Sequence, residues 1–286
     1  MTKTAFDPTR DSFGMRLAKS IKSIGKLLIS THKTHYPRGS HDRPLVILGN
    51  GPSLADTIAS HAEYIARHVD AMAVNFAANT PEFRQLRPRY YILADPHFFA
   101  NPDDPNVARL LRNIASVDWQ MTIFLPFAAR RNCSLQPGEY LSIEYYNAVG
   151  IEGFDALQRW TFNSRRGMPR PRNVLIPAIM TGIGMGYTEI FITGADHTWT
   201  ATLSIDDENH VLSHQPHYYK EDGKEEKRIR NEYLKYPLHS ILYSFYLAFK
   251  SYHIIADYAS RRGIAIYNAT PGSMIDAFPR KPVSEP

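Results

Sequence analysis

Apolar residues along this chain follow two rhythms. Between residues 11 and 30, Phe13, Leu17, Ile21, Ile24 and Leu28 recur at intervals of three and four and draw one stripe along a helix. From residue 45 onward the apolar positions gather into short, nearly continuous runs at 45–50, 70–75, 89–95, 121–126, 141–146, 189–194 and 264–267. Runs of this kind suit strands covered on both faces. Helical stretches fall between them, one ending at Ala66 and others over 105–115, 173–185 and 232–260. Strands alternating with helices predict an α/β fold: a single Rossmann-like domain on a mainly parallel sheet.

The domain spans 44–278. A basic amphipathic helix and a linker (31–43, with Pro37 and Gly39) precede it, and a loose tail (279–286) follows. Residues 200–232 are polar and charged without periodicity, and a segment this long reads as a lid. It carries His210, His214 and His217, but no ligand spacing on a regular element supports a metal site. No internal repeat or low-complexity tract stands out.

Composition narrows the picture. Hydrophobic residues make up 43% and charged residues 21% of 286, the profile of an ordinary folded chain. Cys133 is the sole cysteine, so an internal disulfide and a cysteine zinc set are both excluded, and a reducing cytoplasm fits. No apolar run approaches the ~18 residues of a membrane span, and no secretory signal core is present. Net charge is +5, and the excess is local: residues 1–43 hold nine Lys and Arg against three Asp, a net of +6. A basic helix with a short apolar face suits an anionic membrane surface. The same stripe also suits packing on its own domain or on a second copy.

The first core strand runs into Gly49-Asn50-Gly51-Pro52-Ser53-Leu54. Gly49 and Gly51 permit a tight turn and bring backbone N–H groups close to a ligand. Ser53 is placed to cap the next helix, with Asp56 closing a capping box. A helix N-terminus leaving the sheet there attracts phosphate. The spacing is neither that of the dinucleotide fingerprint nor that of the P-loop. Ligands of open α/β sheets bind beyond the carboxyl ends of strands. Asn50, Asn75, Asp95, Asp196 and His197 all fall at such ends in this reading. Turn-capping roles suit Asn and Asp equally.

The turn at 49–54 resembles the opening motif of the bacterial sialyltransferases that build lipooligosaccharide and capsule glycans. Gly186-Tyr187-Thr188-Glu189-Ile190-Phe191-Ile192-Thr193-Gly194-Ala195-Asp196 is similar to that family's second signature, and 267–273 (Tyr-Asn-Ala-Thr-Pro-Gly-Ser) to its C-terminal motif. The first two signatures also occur in a broader uncharacterised group and in archaeal-type pterin diphosphokinases. The resemblance implies inverting, metal-independent transfer of an acidic sugar from a CMP-sugar to a cell-surface glycan or glycolipid, with no cofactor beyond the donor. It implies donor contacts from Gly49, Asn50, Gly51, Pro52, Ser53, Asn75, Gly194 and Asp196. Asp95 stands where the family has asparagine, and Arg172 and Asn173 stand near its Thr-Ser pair, departures that point to a different sugar. Tyr218 and Tyr219 match its lid tyrosines. The family's general base is a histidine, for which His239 is the first candidate, followed by His197 and His253.

These readings place the enzyme in the cytoplasm on the inner membrane face, bound through its arm, with a homo-oligomer open and no nucleic-acid partner. Two alternatives stand beside them. One is a pterin diphosphokinase-like enzyme using ATP and magnesium. The other is a non-catalytic binder of anionic lipid or nucleic acid working through the arm.

Overall fold

A computed structural model describes residues 11–40, 42–213, 231 and 233–283. Among the described residues its α-helices are α1 (Phe13–Ser30), α2 (Leu54–His68), α3 (Glu82–Leu86), α4 (His97–Ala100), α5 (Pro105–Ala115), α6 (Asp155–Asn163), α7 (Leu175–Met185) and α8 (Leu238–Ser260), with short 3-10 turns at Asn75–Asn79, Phe127–Arg131 and Trp199–Thr202. The strands are β1 (Leu45–Leu48), β2 (Asp70–Val74), β3 (Tyr90–Ile92), β4 (Met121–Pro126), β5 (Leu141–Tyr146), β6 (Glu189–Thr193), β7 (Leu203–Ile205), β8 (Val211–Ser213) and β9 (Ala265–Asn268). Seven of them form one parallel sheet in the order β5-β4-β3-β2-β1-β6-β9. The α/β, Rossmann-like architecture read from the sequence is the one found.

The chain lays down β1 to β5 in one direction, returns to the middle for β6 beside β1, and ends on β9. That reversal puts the switch point of the sheet between β1 and β6, where adjacent connections leave on opposite faces and open a crevice. Leu48 is level with Ala73 of β2 and with Thr193 of β6, so the three strands end on a common rim.

Alternate strand residues feed two cores. Leu45, Ile47, Met72, Val74, Ile190 and Ile192 pack against α7 and α8. Val46, Leu48 and Ala71 meet α2, while Ala73, Tyr91, Ile123 and Leu125 meet α5. Burial on both faces explains why the central strands β1, β2, β3 and β6 are nearly all apolar, whereas the edge strands β5 and β9 are buried at fewer positions.

Several segments differ from the sequence reading. α3, α4 and α6 went unread. The polar stretch after residue 200 opens with the β7–β8 hairpin. The linker crosses the domain closely: Tyr36 is buried, and the Gly39 N–H donates to the Met185 carbonyl at 2.9 Å. Within the tail, Val283 is buried and Arg280 donates to the Thr270 carbonyl at 2.9 Å, so residues 280–283 are held rather than loose. Among the described residues no helix is long and apolar enough to cross a membrane.

α1 packs on its own domain mainly through a polar face rather than its apolar stripe, of which Phe13 meets the Phe154 ring at 5.4 Å. It buries Ser20, Ser23 and Leu27. The Phe154 N–H donates to Ser20 Oγ at 2.9 Å, and Ser23 Oγ donates to the Glu152 carbonyl at 3.0 Å. Gly153 makes this approach possible, since a Cβ there would lie 2.1 Å from Ser20 Oγ. Phe13, Leu17, Ile21, Ile24 and Leu28 are all left exposed.

Candidate functional site

A cleft of about 380 Å³ opens at the switch point, within the range of small-molecule sites. Its walls come from four places in the chain: Gly49–Pro52 after β1, Asn75 after β2, Ala94–Pro96 after β3, and Gly194–Thr202 after β6. The N-terminal approach to α7, residues 171–175, closes it. Loops more than a hundred residues apart in sequence thus share one cavity.

The glycines weld two of these loops together. Gly49 N–H donates to the Thr193 carbonyl and Gly51 N–H to the Gly194 carbonyl, both at 2.8 Å. A Cβ on Gly49 would sit 2.4 Å from the Gly194 carbonyl oxygen, and one on Gly51 would sit 2.0 Å from Asp196 Oδ2. The sequence reading gave these N–H groups to a ligand. The structure commits them to the exit of β6.

Ser53 differs from expectation in the same way. It has helical backbone angles and makes no side-chain cap, so the box with Asp56 does not form. Ser53 Oγ instead donates to Asp196 Oδ2 at 2.9 Å, and its N–H approaches the same oxygen at 3.4 Å. The carboxylate of Asp196 therefore already serves the positive end of α2. The turn at 268–273 braces it from behind: Thr270 Oγ1 accepts from the Ala195 N–H at 3.0 Å, and Ser273 Oγ donates to the Ala195 carbonyl at 2.6 Å.

Three amide side chains supply the unmet hydrogen-bonding capacity. Asn50 Oδ1, Asn75 Oδ1 and Asn173 Nδ2 are buried without a partner, and all three residues line the cleft. Native proteins satisfy such atoms, so each calls for a ligand or water. Asn75 adopts a left-handed φ of 46°, which asparagine tolerates better than most residues. Asn173 is oriented by its own bonds: Oδ1 accepts from Leu175 N at 3.0 Å and from Tyr252 Oη at 3.0 Å. Its Nδ2 is the donor left without a partner. Exposed Arg172 lines the wall, as do the acidic residues Asp95 and Asp196. Asp95 Oδ1 accepts the His97 N–H at 2.9 Å.

His197 is the candidate base that the fold brings to the cleft. It holds a φ of 53° and its ring stacks on Trp199 at 4.0 Å. Nε2 lies 2.7 Å from Tyr252 Oη. Because Tyr252 donates onward to Asn173, Nε2 carries the proton and Nδ1 is left as the acceptor. Burial pushes the pKa down to about 3, so the imidazole is neutral. His239 is exposed and His253 lies at the surface, 3.0 Å from Asp276 Oδ1; neither lines the cleft. Tyr218 and Tyr219 lie outside the described residues, as do His214 and His217. Asp206, Glu208 and His210, a grouping with metal-ligand spacing, sit in the loop between β7 and β8 and not in the cleft.

Sequence reasoning missed Tyr252, Trp199, Thr198 and Thr202. Trp199 and Thr198 directly follow Asp196-His197 and were within reach of the strand-end rule. Tyr252 sits among apolar neighbours of α8, and nothing in its spacing reveals that its hydroxyl joins His197 to Asn173.

No protein-family model and no curated protein matches the chain. Among solved structures, it is similar to the MAf glycosyltransferase from Magnetospirillum magneticum AMB-1 at 11% identity and a TM-score of 0.44, over 95% of this chain and 39% of that one. It therefore spans about two fifths of that protein's length. It is also similar to a mammalian sialyltransferase in complex with Gal-beta-1-3GalNAc-ortho-nitrophenol, at 12% identity and a TM-score of 0.35, over 79% of this chain and 77% of that one. At these scores the likeness carries no reading of function.

Proposed function

We propose that the cleft binds a CMP-activated acidic sugar and that the protein is an inverting glycosyltransferase acting on a glycan or glycolipid hydroxyl. The observation that carries this reading is the convergence of Asn50, Asn75 and Asn173, each with an orphaned amide atom, on the switch-point cleft beside Arg172. Asp196 is already engaged by Ser53 and the start of α2, and the three amides and one guanidinium that stand beside Asp95 suit a leaving group with a single phosphate, which needs fewer counter-charges than a diphosphate. The three sequence signatures meet at this place too, the first two in the loops after β1 and β6 and the third bracing Ala195 from β9.

In this mechanism Arg172 and the Asn173 Nδ2 donor hold the phosphate and the sugar carboxylate. Asn50 and Asn75, whose amide oxygens lack a partner, accept from hydroxyl or amino groups of the nucleoside and sugar. His197 Nδ1 takes the proton of the acceptor hydroxyl as its oxygen bonds to the anomeric carbon and the bond from that carbon to the phosphate oxygen breaks, releasing CMP. A bound anion beside the imidazole raises its basicity from the depressed value of the empty site.

Thermal unfolding with added nucleotides tests the reading. CMP is expected to raise the midpoint, and UDP, GDP and magnesium-ATP to raise it less. A preference for UDP removes the CMP donor. A preference for magnesium-ATP, with AMP released on turnover, favours a diphosphokinase, for which Asp95 and Asp196 are the carboxylates at hand.

A further inference from the structure

We propose that α1 is a docking surface for an anionic lipid bilayer. The helix turns a small polar face to its domain and keeps Leu17, Ile21, Ile24 and Leu28 outward, with Leu28 82% exposed; Phe13 meets the Phe154 ring at 5.4 Å yet stays 73% exposed. Its 18 residues give a straight strip about 27 Å long. A folded protein does not spend five large apolar side chains on water without an occupant for them.

Charge selects the occupant. Residues 12–41 contain six Lys and Arg and no acidic residue. Arg16 and Lys19 face back toward the domain, at 2.8 Å from Asp155 and 3.7 Å from Glu152, Lys19 also pairing with Asp11 just before the helix at 2.7 Å, and Lys26 donates to the Gly150 carbonyl at 3.2 Å. Lys22, Lys33 and Arg38 remain exposed. Beyond the C-terminal end of the helix, His32 stacks on Phe127 at 3.7 Å, and exposed Arg130 and Arg131 lie on that same turn. A second copy seated on the strip would bring the same cations with no carboxylate on the helix to meet them. A bilayer with anionic headgroups meets both the apolar strip and its basic surround. The surface is independent of what the cleft binds.

Co-flotation of the full chain with vesicles tests this. The expected result is flotation with vesicles of equal parts phosphatidylserine and phosphatidylcholine, weakened by salt and lost on phosphatidylcholine alone. Ile21→Asp with Leu28→Asp should cut partitioning by at least roughly a hundredfold. Lys22→Glu with Lys33→Glu should cut it by at least roughly tenfold. All four side chains are exposed, so thermal midpoints should stay at the parental value, and light scattering should give one mass for all variants. No flotation, or equal flotation on neutral vesicles, overturns the proposal. A dimer that the Ile21→Asp and Leu28→Asp changes dissolve overturns it in favour of a second copy.

Discussion

His197 ties the stability of the fold to pH in a way a single substitution can isolate. The side chain is packed among Trp199, Phe249 and Tyr252, and burial holds its pKa at about 3 against 6.5 for the free group. Between those values the unfolded chain carries a proton that the folded protein refuses. The unfolded state therefore binds more protons, and stability falls as pH falls through this window. At about 1.4 kcal/mol per unit, going from near pH 7 to near pH 4 removes about 3 kcal/mol through this residue alone. Asparagine is the suitable replacement, because it tolerates the left-handed backbone at 197 and does not titrate. Urea unfolding of the parent and of His197→Asn across that range is the assay. The variant starts lower near neutral pH, having lost packing, but its curve should be flatter by about 3 kcal/mol. Every carboxylate titrates in both proteins, so the difference between the curves reports the histidine. Parallel curves would refute the buried neutral imidazole, and with it the proposed role of Nδ1.

Asn173→Asp keeps the acceptor that serves Leu175 and Tyr252 but replaces the unpartnered donor with an anion, so CMP affinity should drop at least roughly tenfold, read by calorimetry, with stability lowered by about 1–3 kcal/mol in urea unfolding. Gly51→Ala sets a Cβ against Asp196 and should lower stability by about 2 kcal/mol and abolish CMP protection, read by denaturant and thermal unfolding. Tyr252→Phe breaks the link from His197 to Asn173 and should cost about 1–3 kcal/mol in urea unfolding. Arg172→Ala, on an exposed side chain, should leave the thermal midpoint in place yet weaken CMP roughly tenfold or more.

The sheet was legible because a parallel strand covered on both faces must be apolar at nearly every position. That rule places β1, β2, β4 and β6 within about two residues of where they lie, while the edge strands β5 and β9, less covered, were found by their length and flanking turns. It says nothing of α3 and α4, which are too short for a helical period to develop, or of β7 and β8, with three residues each. Strand-end polarity located Asn50, Asn75, Asp95, Asp196 and His197 on one rim, because a parallel sheet carries all its carboxyl ends to the same edge.

What the glycines do was not legible. Gly49 and Gly51 are equally consistent with a phosphate cradle and with a seam against β6, and only the partner loop, over a hundred residues away, decides. Ser53 was read as a cap from local spacing, but its partner is Asp196 rather than the next turn of its own helix. The orientation of α1 was hidden for a related reason. Amphipathicity reports that a stripe exists, whereas Ser20 and Ser23 win the domain side through backbone partners at 152 and 154 that no periodicity reveals.

Crystals grown with CMP give the most direct measurement. The account predicts the phosphate within hydrogen-bonding distance of Arg172 and of Asn173 Nδ2, and the nucleoside against Asn50 and Asn75. CMP bound away from this rim, or a rim that stays empty at saturating CMP, would contradict it.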